Sequence, residues 1–338
     1  MLFIEASATT PLTVFTPFEQ QEATLNISIA AMKVKFFILL YFCVLQSYEN
    51  SLNLSNFANI KPKNMLSIIT AIYNQLDMNK LYYQYLKKYT DNKFELIIID
   101  NNSDDGSREY FKSLGDDVKV IENKENYSYP HCQNQGIEVA QYDYLIFLNN
   151  DLLVSPHWDS RMLEVLGKDD YHVVSFGSND RLFDNKTSKK ITFRWKIVKY
   201  PLITLFKQNI LSLKLMRLFT YGNWENYTEK IYRRYGLTMS IGFSGSAIAM
   251  TRMAIDKIGM WDKSQQSADF DTFFRTCKRA ETVGDIKVLS VINGVFVHHY
   301  RRLTFYTKYP PFSDRENLST LSIKWDKNDL DRWLKLIN

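Results

Sequence analysis

Cysteine is scarce. Cys43, Cys132 and Cys277 are the only three in 338 residues, widely spaced and without a C-x-x-C pair. That usage argues against a disulfide scaffold and a structural zinc site, and it fits a reducing compartment. Glycine is sparse too, at 12, and no period of about 20–50 residues recurs, which argues against solenoids and propellers. The first strand-like run is not followed by G-x-G-x-x-G, and no G-x-x-x-x-G-K-[ST] occurs anywhere. A dinucleotide oxidoreductase and a P-loop NTPase are therefore disfavoured, since both need backbone amides freed by glycine to cradle phosphates. Net charge is only +5, too small by itself to point to nucleic acid, and no nucleic-acid partner is expected.

What is present is the balance of an ordinary soluble globular protein, with 45% hydrophobic and 23% charged residues. The length suits one large domain or two small ones. Residues 1–64 differ in texture from the rest. The apolar run Phe36–Leu45 is shorter than the roughly 20 residues that span a bilayer. With Met32, Lys33 and Lys35 ahead of it, M-K-V-K-F-F-I-L-L-Y-F-C-V-L has the n- and h-regions of a signal peptide, but no clean small-x-small cleavage site follows. Three readings stand: a buried strand or helix, an interfacial anchor, or upstream sequence joined by a start site assigned too early. The last is favoured, because Met65 opens the first strand of the main domain.

From Met65 onward strands and helices alternate. Strands are expected over Leu66–Tyr73, Phe94–Asp100, Val118–Glu122 and Tyr142–Leu148, with helices over Leu76–Tyr89, Ser107–Leu114 and Gln133–Ala140. Such alternation builds βαβ units and a parallel sheet. Ligands then bind beyond the carboxyl ends of the strands. Three polar clusters, Tyr73-Asn74, Asp100-Asn101-Asn102-Ser103 and Asn149-Asn150-Asp151, stand at such ends and should gather on one sheet edge. Asx residues also cap turns and helices, which accounts for single clusters more easily than for three in succession. Lacking an amide nest, a phosphate site here needs a cation. A divalent metal on Asp151 would serve, since Mg²⁺ or Mn²⁺ takes one or two carboxylates plus diphosphate oxygens.

These segments resemble glycosyltransferase family 2, enzymes of the GT-A fold. The resemblance is carried by S-I-I-T-A-I-Y-N (Ser67–Asn74), E-L-I-I-I-D-N-N-S-D-D-G-S (Glu95–Ser107), E-N-Y-S-Y-P-H-C-Q-N-Q-G-I (Glu125–Ile137) and L-I-F-L-N-N-D (Leu145–Asp151). It continues through G-F-S-G-S-A-I-A-M-T-R (Gly242–Arg252), I-G-M-W-D (Ile258–Asp262) and A-D-F-D-T-F-F-R (Ala268–Arg275). It runs from about Met65 to Phe305 and is nearest to the rhamnosyltransferase-like branch. Three positions depart from the family pattern: Asn149 replaces the first Asp of D-x-D, Ala268 replaces a Glu, and Gln133 replaces an Arg.

The resemblance implies roles residue by residue. Asp100 and Asn101 would hydrogen-bond the base and ribose, with Tyr73 packing beside the base and Ser103, Asn134 and Asn150 completing the nucleotide site. The alternative for Asp100 is a cap on the following helix. Asp151 would hold Mg²⁺ or Mn²⁺, the alternative being a helix N-cap. Asp269 would be the general base, and Asp271 a capping or orienting residue. Counting back from Thr304 along the family's H-x-x-x-x-[ST]-F selects His299 as a second metal ligand, with His298 facing the other side of its strand. Gly245, Ser246, Asp271 and His298 are the acceptor-side candidates.

Between Arg181 and Arg234 lie 13 Lys and Arg against 3 acidic residues, with aromatic and aliphatic residues interleaved. A solvated basic face is one reading. Contact with an anionic membrane surface or a lipid-diphosphate acceptor is the sharper one. The expected architecture is α/β, a GT-A (Rossmann-like), mostly parallel sheet flanked by helices. Its expected parts are an extension over 1–64, a domain over 65–310 and a helical tail over 311–338. The domain divides into a nucleotide-sugar half (65–155), a basic insertion (180–236) and an acceptor half (237–310). The expected function is an inverting, metal-dependent transfer from a UDP- or dTDP-type sugar donor to a glycan or lipid-linked glycan, in the cytoplasm or peripherally at the inner membrane face. A catalytically inactive sugar-binding module and a sugar nucleotidyltransferase are the competing functions.

Overall fold

The computed structural model describes residues 65–179, 185–301, 303 and 310–337. The readings of residues 1–64, of Arg181 and of Thr304 and Phe305 lie outside them. The chain runs β1 (Met65–Ile72), α1 (Leu76–Tyr89), β2 (Lys93–Asp100), α2 (Ser107–Lys112), β3 (Val118–Glu122), α3 (Tyr129–Val139), β4 (Tyr144–Leu148) and β5 (Leu152–Val154). It continues through α4 (Trp158–Leu163), β6 (Val173–Ser178), α5 (Asn185–Phe206), α6 (Ile210–Tyr221), α7 (Trp224–Tyr235), β7 (Met239–Ile241) and β8 (Ala247–Thr251). The last elements are α8 (Arg252–Ile258), α9 (Ala268–Thr282), β9 (Ser290–His299), α10 (Leu321–Lys324) and α11 (Lys327–Leu334).

The described strands form one sheet in the order β3-β2-β1-β4-β8-β6-β9-β5, with β7 also on β9. The half β3-β2-β1-β4 is wholly parallel. Leu96–Ile99 in β2 and Leu145–Leu148 in β4 are fully buried, the continuous apolar runs expected of strands covered on both faces. Beyond β4 the sheet becomes mixed: β8 is antiparallel to both β4 and β6, β6 is parallel to β9, and β5 and β7 are antiparallel to β9. The expected parallel sheet therefore holds for the first half, and the second half reverses direction at β8.

Two local devices bring the helices onto the sheet. α1 buries Met78, Leu81, Tyr82 and Leu86 on one face, and the buried Tyr82 hydroxyl is satisfied by Thr70 Oγ1 at 2.6 Å. α3 begins four residues earlier than its apolar spacing suggests, with Pro130 in its first turn, where a missing N–H costs nothing. It lies so close to β1 that a Cβ on Gly136 would meet Ile69 Cγ2 at 2.3 Å. The chain order β1, β2, β3 moves outward one way and β4 lies on the other side of β1. This is a topological switch point, where α/β sheets open a crevice at their carboxyl edge. Among the described residues no helix is long and apolar enough to cross a membrane.

Candidate active site

The three polar clusters do meet on the carboxyl edge, and hydrogen bonds lace them together. Asn74 N donates to Ser103 Oγ (2.8 Å) and Asp104 N donates to Asn74 Oδ1 (2.9 Å). Asn79 Nδ2 donates to the Asn74 carbonyl (2.9 Å) and to Ser107 Oγ (2.9 Å), while Asn79 Oδ1 accepts from Asn150 Nδ2 (2.7 Å). Asn79 thus ties the turns that follow β1 and β4 to the start of α2, a role its mid-helix position does not advertise.

Several residues assigned to the nucleotide are engaged within the protein. Asp100 is fully buried, accepts from Ser103 N, and pairs with Arg108 Nε at 2.7 Å. The carboxylate holds the Arg108 guanidinium above its ordinary pKa, so a base or ribose at Asp100 must share it with Arg108. Asn101 donates to the Tyr127 carbonyl (3.0 Å) and accepts from Asn123 Nδ2 (2.9 Å). Asn134 closes a reciprocal pair with Trp261: its Nδ2 donates to Trp261 O (2.7 Å) and its Oδ1 accepts from Trp261 N (3.0 Å). These three residues brace the site, and Tyr73 stands half-buried at its edge. Gln133 is buried with neither amide atom hydrogen-bonded among the described residues.

A cleft of about 570 Å³ opens beside this edge. Asn149, Gly245, Ser246, Asp269 and His299 line it, together with Tyr129, Gln266 and Arg301, which sequence reasoning missed. Asp269 sits in the first turn of α9 with Phe270 N on its Oδ1 at 2.9 Å. Burial pushes its carboxyl above the ordinary value. A Cβ on Gly245 would come within 2.1 Å of Asp269 Oδ2, so glycine lets backbone and carboxylate meet. Ser246 belongs to a hydroxyl chain with Ser244 (3.0 Å) and Ser178 (3.3 Å from Ser244), and its carbonyl accepts from Asn149 N (2.9 Å). The buried Tyr129 hydroxyl has no partner among the described residues, and burial, then the Asp269 charge, pushes its pKa well up. Only proximity in the fold could have revealed Tyr129, which lies ahead of the helix expected over Gln133–Ala140 and opens α3 in the structure.

Asp151 and His299 come together. β5 pairs antiparallel with β9 so that Leu152 opposes His299, and His299 Nε2 lies 3.2 Å from Asp151 Oδ2. Asp151 is buried, and its Oδ1 has no hydrogen-bond partner among the described residues. One carboxylate with a spare buried oxygen and one imidazole suit a divalent cation that takes its remaining ligands from a diphosphate. Among the described residues no group of three or more His, Cys, Asp or Glu side chains forms a denser site.

The structure does not bring Asp271 and His298 to the cleft. Asp271 is fully buried and paired with Arg275 Nε (2.9 Å) and Lys324 Nζ (2.8 Å), and it accepts from Trp325 Nε1 (2.9 Å). His298 faces the other side of β9, shares a hydrogen bond of 2.8 Å with the Tyr221 hydroxyl, and is held neutral by burial.

The family model described as glycosyl transferase family 2 matches residues 67–258, more than half of the sequence. The chain belongs to glycosyl transferase family 2. Over 105 residues this transferase is 28% identical to a putative glycosyltransferase, EpsH, of Bacillus subtilis (strain 168), covering 30% of each chain. Over 133 residues it is 29% identical to poly-beta-1,6-N-acetyl-D-glucosamine synthase of Staphylococcus aureus (strain MSSA476), covering 37% of this chain and 31% of that protein. The match thus spans about a third of each relative. Among solved structures, the mannosyltransferase PcManGT from Pyrobaculum calidifontis, in complex with GDP-Man and Mn²⁺, aligns with a TM-score of 0.43 and 14% identity over 79% of this chain and 67% of that one.

Proposed function

We propose that this family 2 transferase moves a sugar, with inversion, from a nucleotide-diphosphate donor to a glycan or lipid-linked glycan in cell-surface polysaccharide synthesis. The observation that carries the reading is the cleft itself. It sets one burial-raised carboxylate, Asp269, in the same pocket as Asn149 and His299 at the carboxyl edge of the sheet. A single base facing a diphosphate-binding edge suits direct displacement. Asp269 accepts the acceptor hydroxyl proton as that oxygen bonds to the anomeric carbon, and the bond from that carbon to the diphosphate oxygen breaks, its electron pair leaving with the nucleotide diphosphate. Asp151 and His299 would hold Mg²⁺ or Mn²⁺, which supplies positive charge for the departing diphosphate.

The scaffold residues have their own part. Asn79, Asn101 and Asn134 fix the strand ends and the Trp261 loop, so the cleft walls are set before substrate arrives. A UDP- or dTDP-type donor is the proposed class, with Asp100 and Tyr73 at the base. A cytoplasmic site of action, peripheral to the inner membrane face through 181–234, belongs to the same proposal.

The test incubates the purified chain with a panel of nucleotide sugars and Mn²⁺ or Mg²⁺, measuring both donor hydrolysis and thermal shift. Metal-dependent turnover of one donor is the expected result. Binding without turnover of any donor, with or without glycan acceptors, would mark the chain as an inactive sugar-binding module.

A further inference from the structure

Helix α5 has two apolar faces, and among the described residues only one is covered. Ile191, Trp195 and Leu202 are buried on the inner side. There the Trp195 ring packs edge-on against His298 (4.7 Å) and Tyr300 (5.5 Å) behind β9. On the outer side Phe193, Ile197 and Tyr200 are 64%, 56% and 50% exposed. At about 3.6 residues per turn these three positions fall in one narrow stripe. Single exposed apolar side chains are ordinary, but a contiguous row of large ones marks a contact surface.

Charge says what the contact is. The helix N-K-T-S-K-K-I-T-F-R-W-K-I-V-K-Y-P-L-I-T-L-F contains no Asp or Glu. Lys189, Lys190 and Lys196, all exposed, flank the apolar stripe. Apolar centre, lysine margins and no acid form the pattern of a helix lying in a membrane interface, with the stripe among the acyl chains and the ammonium groups at the phosphates. A second copy of this chain is a poor occupant, since self-pairing would set lysine rows against lysine rows. We propose that the outer face of α5 docks on an anionic phospholipid bilayer through Phe193, Ile197 and Tyr200, with Lys189, Lys190 and Lys196 on the headgroups. Because α5 backs the strand whose other side presents His299 to the cleft, docking holds the cleft near the bilayer. This docking rests on the membrane contact proposed above for 181–234 and names its residues; it does not depend on the transfer reaction.

The test sediments the full-length chain with phosphatidylcholine vesicles, with and without phosphatidylglycerol, in the absence of any sugar donor. The wild type is expected to sediment with the phosphatidylglycerol vesicles only, and to be released as salt rises. The variant Phe193→Ser/Ile197→Ser/Tyr200→Ser should stay in solution with an unchanged melting temperature. Lys189→Gln/Lys190→Gln/Lys196→Gln should bind at least roughly tenfold more weakly, with a flatter salt dependence. Three results would overturn the proposal: no sedimentation of the wild type with anionic vesicles, equal binding by the serine variant, which moves the contact to another segment such as Phe36–Leu45, or a fall in solution mass of the serine variant without vesicles, which makes the face a self-interface.

Discussion

Asp269 and Asp271 stand two residues apart on one helix and have opposite fates. Asp271 is walled in by Arg275, Lys324 and Trp325, whereas Asp269 faces the cleft against Gly245. Helical geometry alone separates their directions, and sequence could show that much. It could not show which of the two the C-terminal segment would claim, since the claimants lie some 50 residues downstream. The same limit applies to Asp100 with Arg108 and to Asn134 with Trp261: the strand ends were legible, their partners were not. Asp269→Asn should lower turnover by about 10²–10⁴-fold, leaving donor affinity close to wild type. Because burial raises the Asp269 pKa, the folded state keeps a proton that the unfolded state releases between the ordinary carboxyl value and the raised one. Stability contributed by Asp269 therefore falls as pH rises through that window. Asp269→Asn should flatten that part of the melting profile and raise the melting temperature at neutral pH. The acid limb of wild-type turnover should lie above the usual carboxylate range, and retention of more than about a tenth of turnover in Asp269→Asn would remove it as the base. At the Asp151–His299 pair, Asp151→Ala should abolish metal-stimulated nucleotide binding while Asn149→Ala weakens it less. Titration calorimetry with Mn²⁺ decides between them, and equal losses would place the cation elsewhere.

At the scale of elements, the run from β1 to β4 could be read almost directly. Its helices and strands alternate, its strands are continuously apolar, and α1 and β3 have the boundaries their sequences suggest. The second half was harder because its strands are short or paired across long insertions, as β8 is with β4 and β6. Helices α5 to α7 hid behind their basic composition: α7 packs against β9 and is tied to α1 by Glu225 through Lys88 and Tyr89. The C-terminal helices also proved to be part of the core. Trp333 stacks on Phe274 of α9 (5.7 Å) and Trp325 lies edge-on to it (6.0 Å). Trp325 Nε1 donates to buried Asp271, so this segment braces the helix whose first turn carries Asp269. Trp325→Phe keeps an aromatic ring and deletes the donor, which should cost about 1–3 kcal/mol by denaturant unfolding. Its turnover should fall without a matching rise in KM, since the loss acts through the setting of α9. A variant as stable and active as wild type would reduce the brace to simple packing.

For the whole molecule, the place of β1 decides what the domain needs. A sheet's outermost strand has one open edge, and removing a neighbour exposes it. β1 is an interior strand: β2 pairs with it from Met65 to Ile72 on one side, and β4 pairs with Leu66–Ile69 on the other. Both its hydrogen-bonding edges are thus filled from downstream sequence, and α3 covers it through Gly136. No residue before Met65 is required for this pairing, and none of the proposed site residues precedes Tyr73. A protein lacking residues 1–64 should therefore fold, melt within a few degrees of the full-length chain, and turn over the same donor at a comparable rate. The vesicle assay adds a second reading, because α5 remains in the truncated protein and should still carry it to anionic vesicles. Insolubility of the shortened chain under conditions where the full-length protein is soluble would show that the first 64 residues complete the fold.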